Sequence, residues 1–246
     1  MNDFFTTIYE DNDILVINKP AGLVVESENK NDLTLEKILE KDYKLSLPRS
    51  GIVHRLDRDT SGVMVIAKNE KSLINLQNQF ASHQVEKIYY TLVYGKLEPE
   101  KGTINIALKR DPKNRTRFIA SRNKDAREAV THYSVVNYLK SQISNPNDQT
   151  NPKLQITKNN NGDLSLLEIN LETGRTHQIR AHFFAIGYPI IGDSIYKSPL
   201  SQEFSRQIGL NRQFLHAGEL SFTHPTKGEK MEFKAELPDD LGRILG

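Results

Sequence analysis

The chain has 246 residues, 37% hydrophobic and 26% charged, with a net charge of +2 and no cysteine. That is an ordinary composition for a soluble globular chain long enough to bury a core, and it excludes disulfides, thiolate zinc sites and cysteine nucleophiles. No apolar run approaches the ~20 residues that span a bilayer, and Met1-Asn2-Asp3-Phe4 does not open a secretory signal, so a cytoplasmic protein is expected.

In chain order, Ile14-Leu15-Val16-Ile17 reads as a short buried strand ended by Lys19-Pro20-Ala21-Gly22. Leu35, Ile38 and Leu39 recur at helical spacing behind Asp32 and Thr34, either of which suits a helix cap. Val63 to Ala67 is continuously apolar, the pattern of a central strand covered on both faces. Leu73, Leu76 and Phe80 mark the core stripe of a helix from about Glu70 to Ser82. Tyr89 to Tyr94 is β-branched and aromatic, and Gly95 ends it. Further strands are expected at Thr103–Leu108, Arg117–Ser121 and Ala129–Leu139.

Residues 141–152 are polar, rich in turn formers and aperiodic, and a flexible surface loop is expected there. Leu167, Ile169 and Leu171 alternate with polar residues, as in a half-buried strand. A helix from about Thr176 to Ile186 should turn Ile179, Phe183 and Ile186 inward, with Gly187 at its C-terminal cap and Pro189 beyond. His216–Thr223 and Lys230–Ala235 close the chain as two strands. Strands outnumber helices, so the expected class is α+β: a predominantly antiparallel mixed sheet with flanking helices. No repeat or linker divides the sequence, which reads as a single domain over 1–246. Nothing in the surface pattern demands a second subunit, so a monomer is expected.

Two stretches concentrate charge. Lys109 to Arg127 holds eight Lys/Arg against two Asp, a local excess of six positive charges; such a block suits a polyanion, although a solvated hairpin has the same composition. His54-Arg55-Leu56-Asp57-Arg58-Asp59-Thr60-Ser61-Gly62 places cations, carboxylates and hydroxyls between apolar Ile52-Val53 and the strand from Val63. A loop running into a central strand holds side chains rigidly at a sheet edge, as catalysis requires. A kinase catalytic loop needs Asp directly after Arg and Asn five residues on; Leu56 intervenes, and no glycine-rich phosphate loop is present. No His/carboxylate spacing supports a metal site.

Gly51 to Gly62 as a whole resembles the signature of the RluA-like family of RNA pseudouridine synthases. Lys87-Ile88-Tyr89-Tyr90-Thr91-Leu92-Val93-Tyr94-Gly95 is similar to that family's second motif. Leu171 to His182, continuing through Ile186-Gly187-Tyr188-Pro189-Ile190-Ile191-Gly192-Asp193, is similar to its third, and His216 to Pro225 to its closing segment. The resemblance implies a pseudouridine synthase catalytic fold without an S4-type domain ahead of it, and isomerisation of uridine in RNA without cofactor or metal. It implies that Asp57 is the catalytic aspartate, Tyr89 the active-site tyrosine, and Arg180 the partner of Asp57, with Arg175 as the alternative or as a phosphate ligand. Arg55, with His54 beside it, would help displace the target base. Lys109, Arg110, Arg115 and Arg117 would grip RNA, and Leu220 would line the base pocket. Large-subunit ribosomal RNA is the expected substrate; tRNA, or a non-catalytic role in RNA binding or ribosome assembly, is the alternative.

Overall fold

The computed structural model describes residues 4–143, 154–158 and 163–245. The chain forms two compact units, Met1–Ile88 with His216–Glu236, and Tyr89–Leu215 with Leu237–Gly246. The elements run β1 (Thr6–Glu10), β2 (Ile14–Lys19), α1 (Leu35–Asp42), β3 (Ser61–Ala67), α2 (Glu70–Ala81) and β4 (Glu86–Tyr94). There follow β5 (Lys101–Asn105), β6 (Leu108–Arg110), β7 (Phe118–Ala120), β8 (Val130–Ile143), β9 (Leu154–Lys158) and β10 (Leu164–Leu171). The chain ends with α3 (Gln178–Ala185), α4 (Pro199–Gln207), β11 (Leu215–Thr223), β12 (Lys230–Lys234) and α5 (Asp239–Leu245). The class is α+β, with mostly antiparallel pairing and five α-helices among the described residues.

In the first unit, β2 pairs antiparallel with β1 and β3, β3 pairs parallel with β11, and β11 pairs antiparallel with β12. All seven residues of β3 are buried, which is why that stretch carries no polar alternation. The β1–β2 turn is set by Asp11, whose Oδ1 accepts from the Asp13 and Ile14 amides at 2.8 and 2.9 Å, a local side-chain turn. Thr34 caps α1 by accepting from the Lys37 amide at 3.3 Å, and Asn69 caps α2 by accepting from Ser72 at 2.9 Å, each satisfying an orphan donor of the first turn. Leu73 and Leu76 of α2 pack on Val16, Val63, Val65, Leu220 and Phe222. Removing such side chains from water supplies the main favourable free energy of this unit.

In the second unit, the sheet order is β4-β10-β8-β5, with β9 on β8 and a separate β6–β7 hairpin. Ser141 to Ile143, expected to begin a loop, instead end β8 and pair with β9; the remainder of that expected loop, 144–152, lies outside the described residues. α3 begins at Gln178, two residues later than the periodicity suggests, because His177 adopts a left-handed φ of 56°. It closes as expected: Gly187, at φ 89°, donates to the Phe184 carbonyl at 3.1 Å and Tyr188 to that of Phe183 at 2.8 Å, so glycine absorbs the reversal. Six successive residues of α3, Gln178 to Phe183, are buried. The helix is thus enclosed on every side, and its polar residues need internal partners.

Gly62 fixes the start of β3. Its φ is 123°, and a Cβ there would stand 2.1 Å from the Ala217 carbonyl oxygen. Gly62→Ala combines a left-handed strain with a backbone collision and is expected to lower unfolding stability by at least about 2 kcal/mol, measured by urea denaturation.

Candidate active site and RNA-binding surface

Within the first unit, residues 54–60 form an irregular segment between the bridge at Ile52 and β3. Leu56 is buried at 5% exposure and anchors it, while neighbouring Arg55 is exposed and Asp57 half-buried. Lys19, fully buried, donates to the carbonyls of Pro20, Leu23 and Arg58 at 2.8, 2.9 and 3.0 Å. A buried ammonium needs all three N–H groups satisfied, and here the three oxygens come from two segments. Arg58's carbonyl also accepts from the Gly22 amide at 2.9 Å, and the Thr60 amide donates to the carbonyl of Asp57 at 3.1 Å. The segment carrying Asp57 is therefore braced from its backbone.

His54, expected beside Arg55 as an RNA contact, is half-buried and turned onto β3 and α2. Its Nε2 accepts from the Val65 amide at 3.1 Å, and its ring stacks on Phe80 with centroids 4.7 Å apart. Burial pushes its pKa down to about 3, helped by the positive charges of Lys87 and Arg49. It is a neutral anchor of the segment, not a cation for phosphate. Lys87 also has its pKa lowered, by burial. Leu220, expected to line a base pocket, is 2% exposed and packed in the core with Val63, Val65 and Phe222; strand alternation turns it to that face.

The second unit holds Tyr89, Arg175, Arg180 and the basic strip. Tyr89 is buried at 9% exposure, on the strand face shared with buried Thr91 and Val93, while Tyr90 and Tyr94 are half-buried on the other. Arg180, expected as the partner of Asp57, is in the core at 4% exposure. Its Nε and one Nη donate to the two oxygens of Asp193 at 2.6 and 3.0 Å, a two-pronged pair that fixes the guanidinium plane. Asp193 Oδ1 also accepts from the Ile195 and Tyr196 amides at 2.8 and 2.9 Å. Tyr196 lies under the guanidinium, 5.2 Å from carbon to centroid, and its hydroxyl accepts from the Phe118 amide at 2.6 Å. Asp193 and Tyr196 therefore hold Arg180 in place, a part that the sequence did not assign to them. The only hint was an acid following Gly192.

Gln178 organises the approach to Arg175. Its Oε1 accepts from the Thr173 hydroxyl and the Arg175 amide at 2.8 and 2.9 Å. Its Nε2 donates to the Val130 carbonyl and to Thr131 Oγ1, both at 2.9 Å. All four of its hydrogen-bonding positions are used. Arg175 is exposed, and its Nε donates to the Glu128 carbonyl at 2.9 Å.

The β6–β7 hairpin displays the basic strip. Asp111 and Asn114 shape its turn, accepting from the Lys113 and Thr116 amides at 2.9 and 3.1 Å. Arg110 lies over Phe118 at 5.3 Å, and Arg115 is exposed. Arg117 is held over Phe184 and Tyr196 at 5.1 and 5.5 Å, with its Nε buried and lacking a hydrogen-bond partner. Lys109, Arg110, Arg127 and Arg175, with Phe118 and Asp125, line a cavity of about 480 Å³. Four cations against one carboxylate, beside an aromatic ring, suit a phosphate-linked chain with bases to stack.

Among the described residues, one group has metal-ligand geometry: Asp11, Asp13 and His224, with ligand atoms within 4.8 Å of one another. Its oxygens already serve internal donors. Lys227 Nζ and His224 Nε2 each lie 2.9 Å from Asp11 Oδ2, and Asn69 donates to Asp13 at 2.8 Å. Burial raises the Asp11 pKa, but the bonds from Lys227, Ile14, Asp13 and Tyr9 outweigh it and hold the carboxyl below the usual range. The group reads as a clamp between two turns. No helix among the described residues is long and apolar enough to cross a membrane.

The family described as RNA pseudouridylate synthase matches residues 13–185. A protein of Chloroflexus aurantiacus named uncharacterized RNA pseudouridine synthase is 41% identical over 233 residues, covering 93% of this chain and 64% of its own length. The ribosomal large subunit pseudouridine synthase D of Nitrosomonas europaea is 37% identical over 243 residues, covering 97% of this chain and 63% of its own. The chain thus spans just under two thirds of the length of these two relatives. The solved structure of human RNA pseudouridylate synthase domain containing 1 superposes with a TM-score of 0.71 at 25% identity, over 95% of this chain and 84% of that one.

Two outcomes follow from the buried groups. Asp193→Asn strips Arg180 of its counter-charge and is expected to cost about 3–5 kcal/mol in denaturant unfolding, with Arg180 still in place. His54 is neutral in the folded chain down to about pH 3, whereas an exposed histidine takes a proton near 6.5. Between those values the unfolded chain binds more protons, so His54 makes stability rise with pH across that window. Histidine NMR titration should show His54 silent where exposed rings shift.

Proposed function

Since the chain belongs to the RNA pseudouridylate synthase family, we propose that it converts uridine to pseudouridine in structured RNA, with Asp57 as the catalytic carboxylate. The observation that carries this reading is the Asp57 segment, braced through its backbone by Lys19 and Gly22 while Asp57 and Arg55 stay accessible. The reaction breaks the bond from C1′ to N1, turns the uracil and joins C5 to C1′; the C5 proton is lost and N1 gains one. It is redox-neutral and needs no energy input. A stacked uridine hides its C1′, so the nucleotide must leave the helix at a cost of a few kcal/mol. Arg55 would occupy the vacated space. Tyr89 is assigned to pack on the base and assist loss of the C5 proton. Arg180, held rigid by Asp193, is assigned the cationic role in the reaction.

Lys109, Arg110, Arg115, Arg117 and Arg175 are assigned to the flanking RNA, joined by Arg127. Large-subunit ribosomal RNA is the proposed substrate, supported by the name of the Nitrosomonas relative; tRNA is the second reading.

Asp57→Asn removes the charge with little change of shape. It should bind a ribosomal RNA transcript with Kd within about twofold of wild type and form no pseudouridine, scored by nuclease digestion and mass spectrometry; substantial turnover would sink the assignment. Arg110→Ala and Arg115→Ala should each weaken binding and reduce the dependence of log K on log salt by about one, read from titrations at several salt concentrations.

A further inference from the structure

Ser61 ends the segment that carries Asp57 and begins β3. Its Oγ lies 2.9 Å from Nδ1 of His216, in β11, and both residues are removed from water, at 1% and 0% exposure. The other ring nitrogen of His216, Nε2, lies 3.0 Å from the carbonyl oxygen of Ala235, just beyond β12. A carbonyl oxygen only accepts, so Nε2 carries a proton; in the neutral ring Nδ1 is then the acceptor, and the Ser61 hydroxyl donates to it. With the ring neutral, Ser61 donates to His216, and His216 donates to Ala235.

The backbone tightens the same point. His216 and Ala217 pair in parallel with Ser61 and Gly62, and Gly62 has no room for a Cβ against Ala217. Three residues earlier, the carbonyl of Arg58 is gripped by Lys19 and Gly22. Residues 59 and 60 therefore bridge two fixed points. An apolar pair at positions 61 and 216 would also fill a sheet, but it would lack a directional bond. A reacting group has to be held within about half an ångström of its working position, which gives such a bond a use.

We propose that His216 is a positioning residue for Asp57, acting through the Ser61 hydroxyl. The inference rests on the assignment of Asp57 as the catalytic carboxylate. His216 touches no reacting atom; it sets where the segment ends and so where the carboxylate stands.

Three substitutions separate this from bulk stability. Ser61→Ala removes the donor. His216→Gln reaches towards Ala235 but offers no acceptor at the Nδ1 position. His216→Asn keeps that acceptor and gives up the reach to Ala235. The probe is a large-subunit ribosomal RNA transcript, and a tRNA transcript in parallel, made with [5-³H]uridine, since joining C5 to C1′ releases the C5 hydrogen to water. Under single-turnover conditions Ser61→Ala and His216→Gln should release tritium about 10- to 100-fold more slowly than wild type, a loss in the range expected for a misplacement of up to 1 Å. Their RNA Kd should stay within about twofold, and His216→Asn should recover most of the rate. Amide exchange at Thr60, whose N–H bonds the Asp57 carbonyl, should accelerate in the two slow variants and not in the third.

Wild-type tritium release by Ser61→Ala overturns the proposal. So does equal loss in His216→Asn and His216→Gln, which would mark a structural role only. If wild type releases no tritium from either transcript, the reading of Asp57 fails. Thr60 exchange then still judges the positioning claim, and unchanged exchange in Ser61→Ala overturns it. Should either His216 variant not fold, Ser61→Ala alone decides by rate and exchange.

Discussion

A fully buried ammonium has to find three oxygens, and much of the first unit follows from how Lys19 finds them. Two come from the turn after β2 and the third is the carbonyl of Arg58. This couples the end of one strand to the segment that carries Asp57. The Gly22 amide joins at the same carbonyl, Leu56 is sunk into the core, and His54 is locked to β3 through Val65. Each of these groups helps turn an irregular stretch into a fixed one. The arrangement fits a general need of catalysis, in which the reactive group sits outside regular structure yet is held by it.

The second unit also buries a cation, and satisfies it with a carboxylate in place of carbonyl oxygens. Arg180 is buried on a helix enclosed all round, where an unpaired guanidinium would be untenable. Asp193 supplies two oxygens to it and takes two backbone amides besides, so the carboxylate is itself held in place. Tyr196 extends the same assembly to the hairpin by accepting from Phe118. Rigid arginine and basic hairpin are thus parts of one hydrogen-bonded structure, and a change at Asp193 reaches both.

Much of this was legible from local pattern. The apolar run at Val63–Ala67, the caps at Thr34 and Gly187, and the stripe on α2 depend on neighbours in sequence, and the structure bears them out. Exposed edge strand β1, with its irregular register between Thr7 and Tyr9, carries no clean alternation and was not foreseen. Neither was α4, although Ser198 followed by Pro199 is a start signal and forms a capping box with Ser201. In the site, residue types were readable but their partners were not. The Arg180–Asp193 pair, the bond from Val65 to His54 and the packing of Leu220 are set by tertiary contacts that leave no mark at fixed spacing. A histidine beside an arginine looks like a second cation until the structure shows its Nε2 accepting from a backbone amide.

The central claim is that this chain makes pseudouridine in RNA. The most direct measurement maps pseudouridine across ribosomal RNA and tRNA from cells with and without the protein. The account predicts that one or more positions, foremost in large-subunit ribosomal RNA, lose the modification when the protein is absent and regain it with the wild-type gene. An identical map in both cells, at every position, would contradict it.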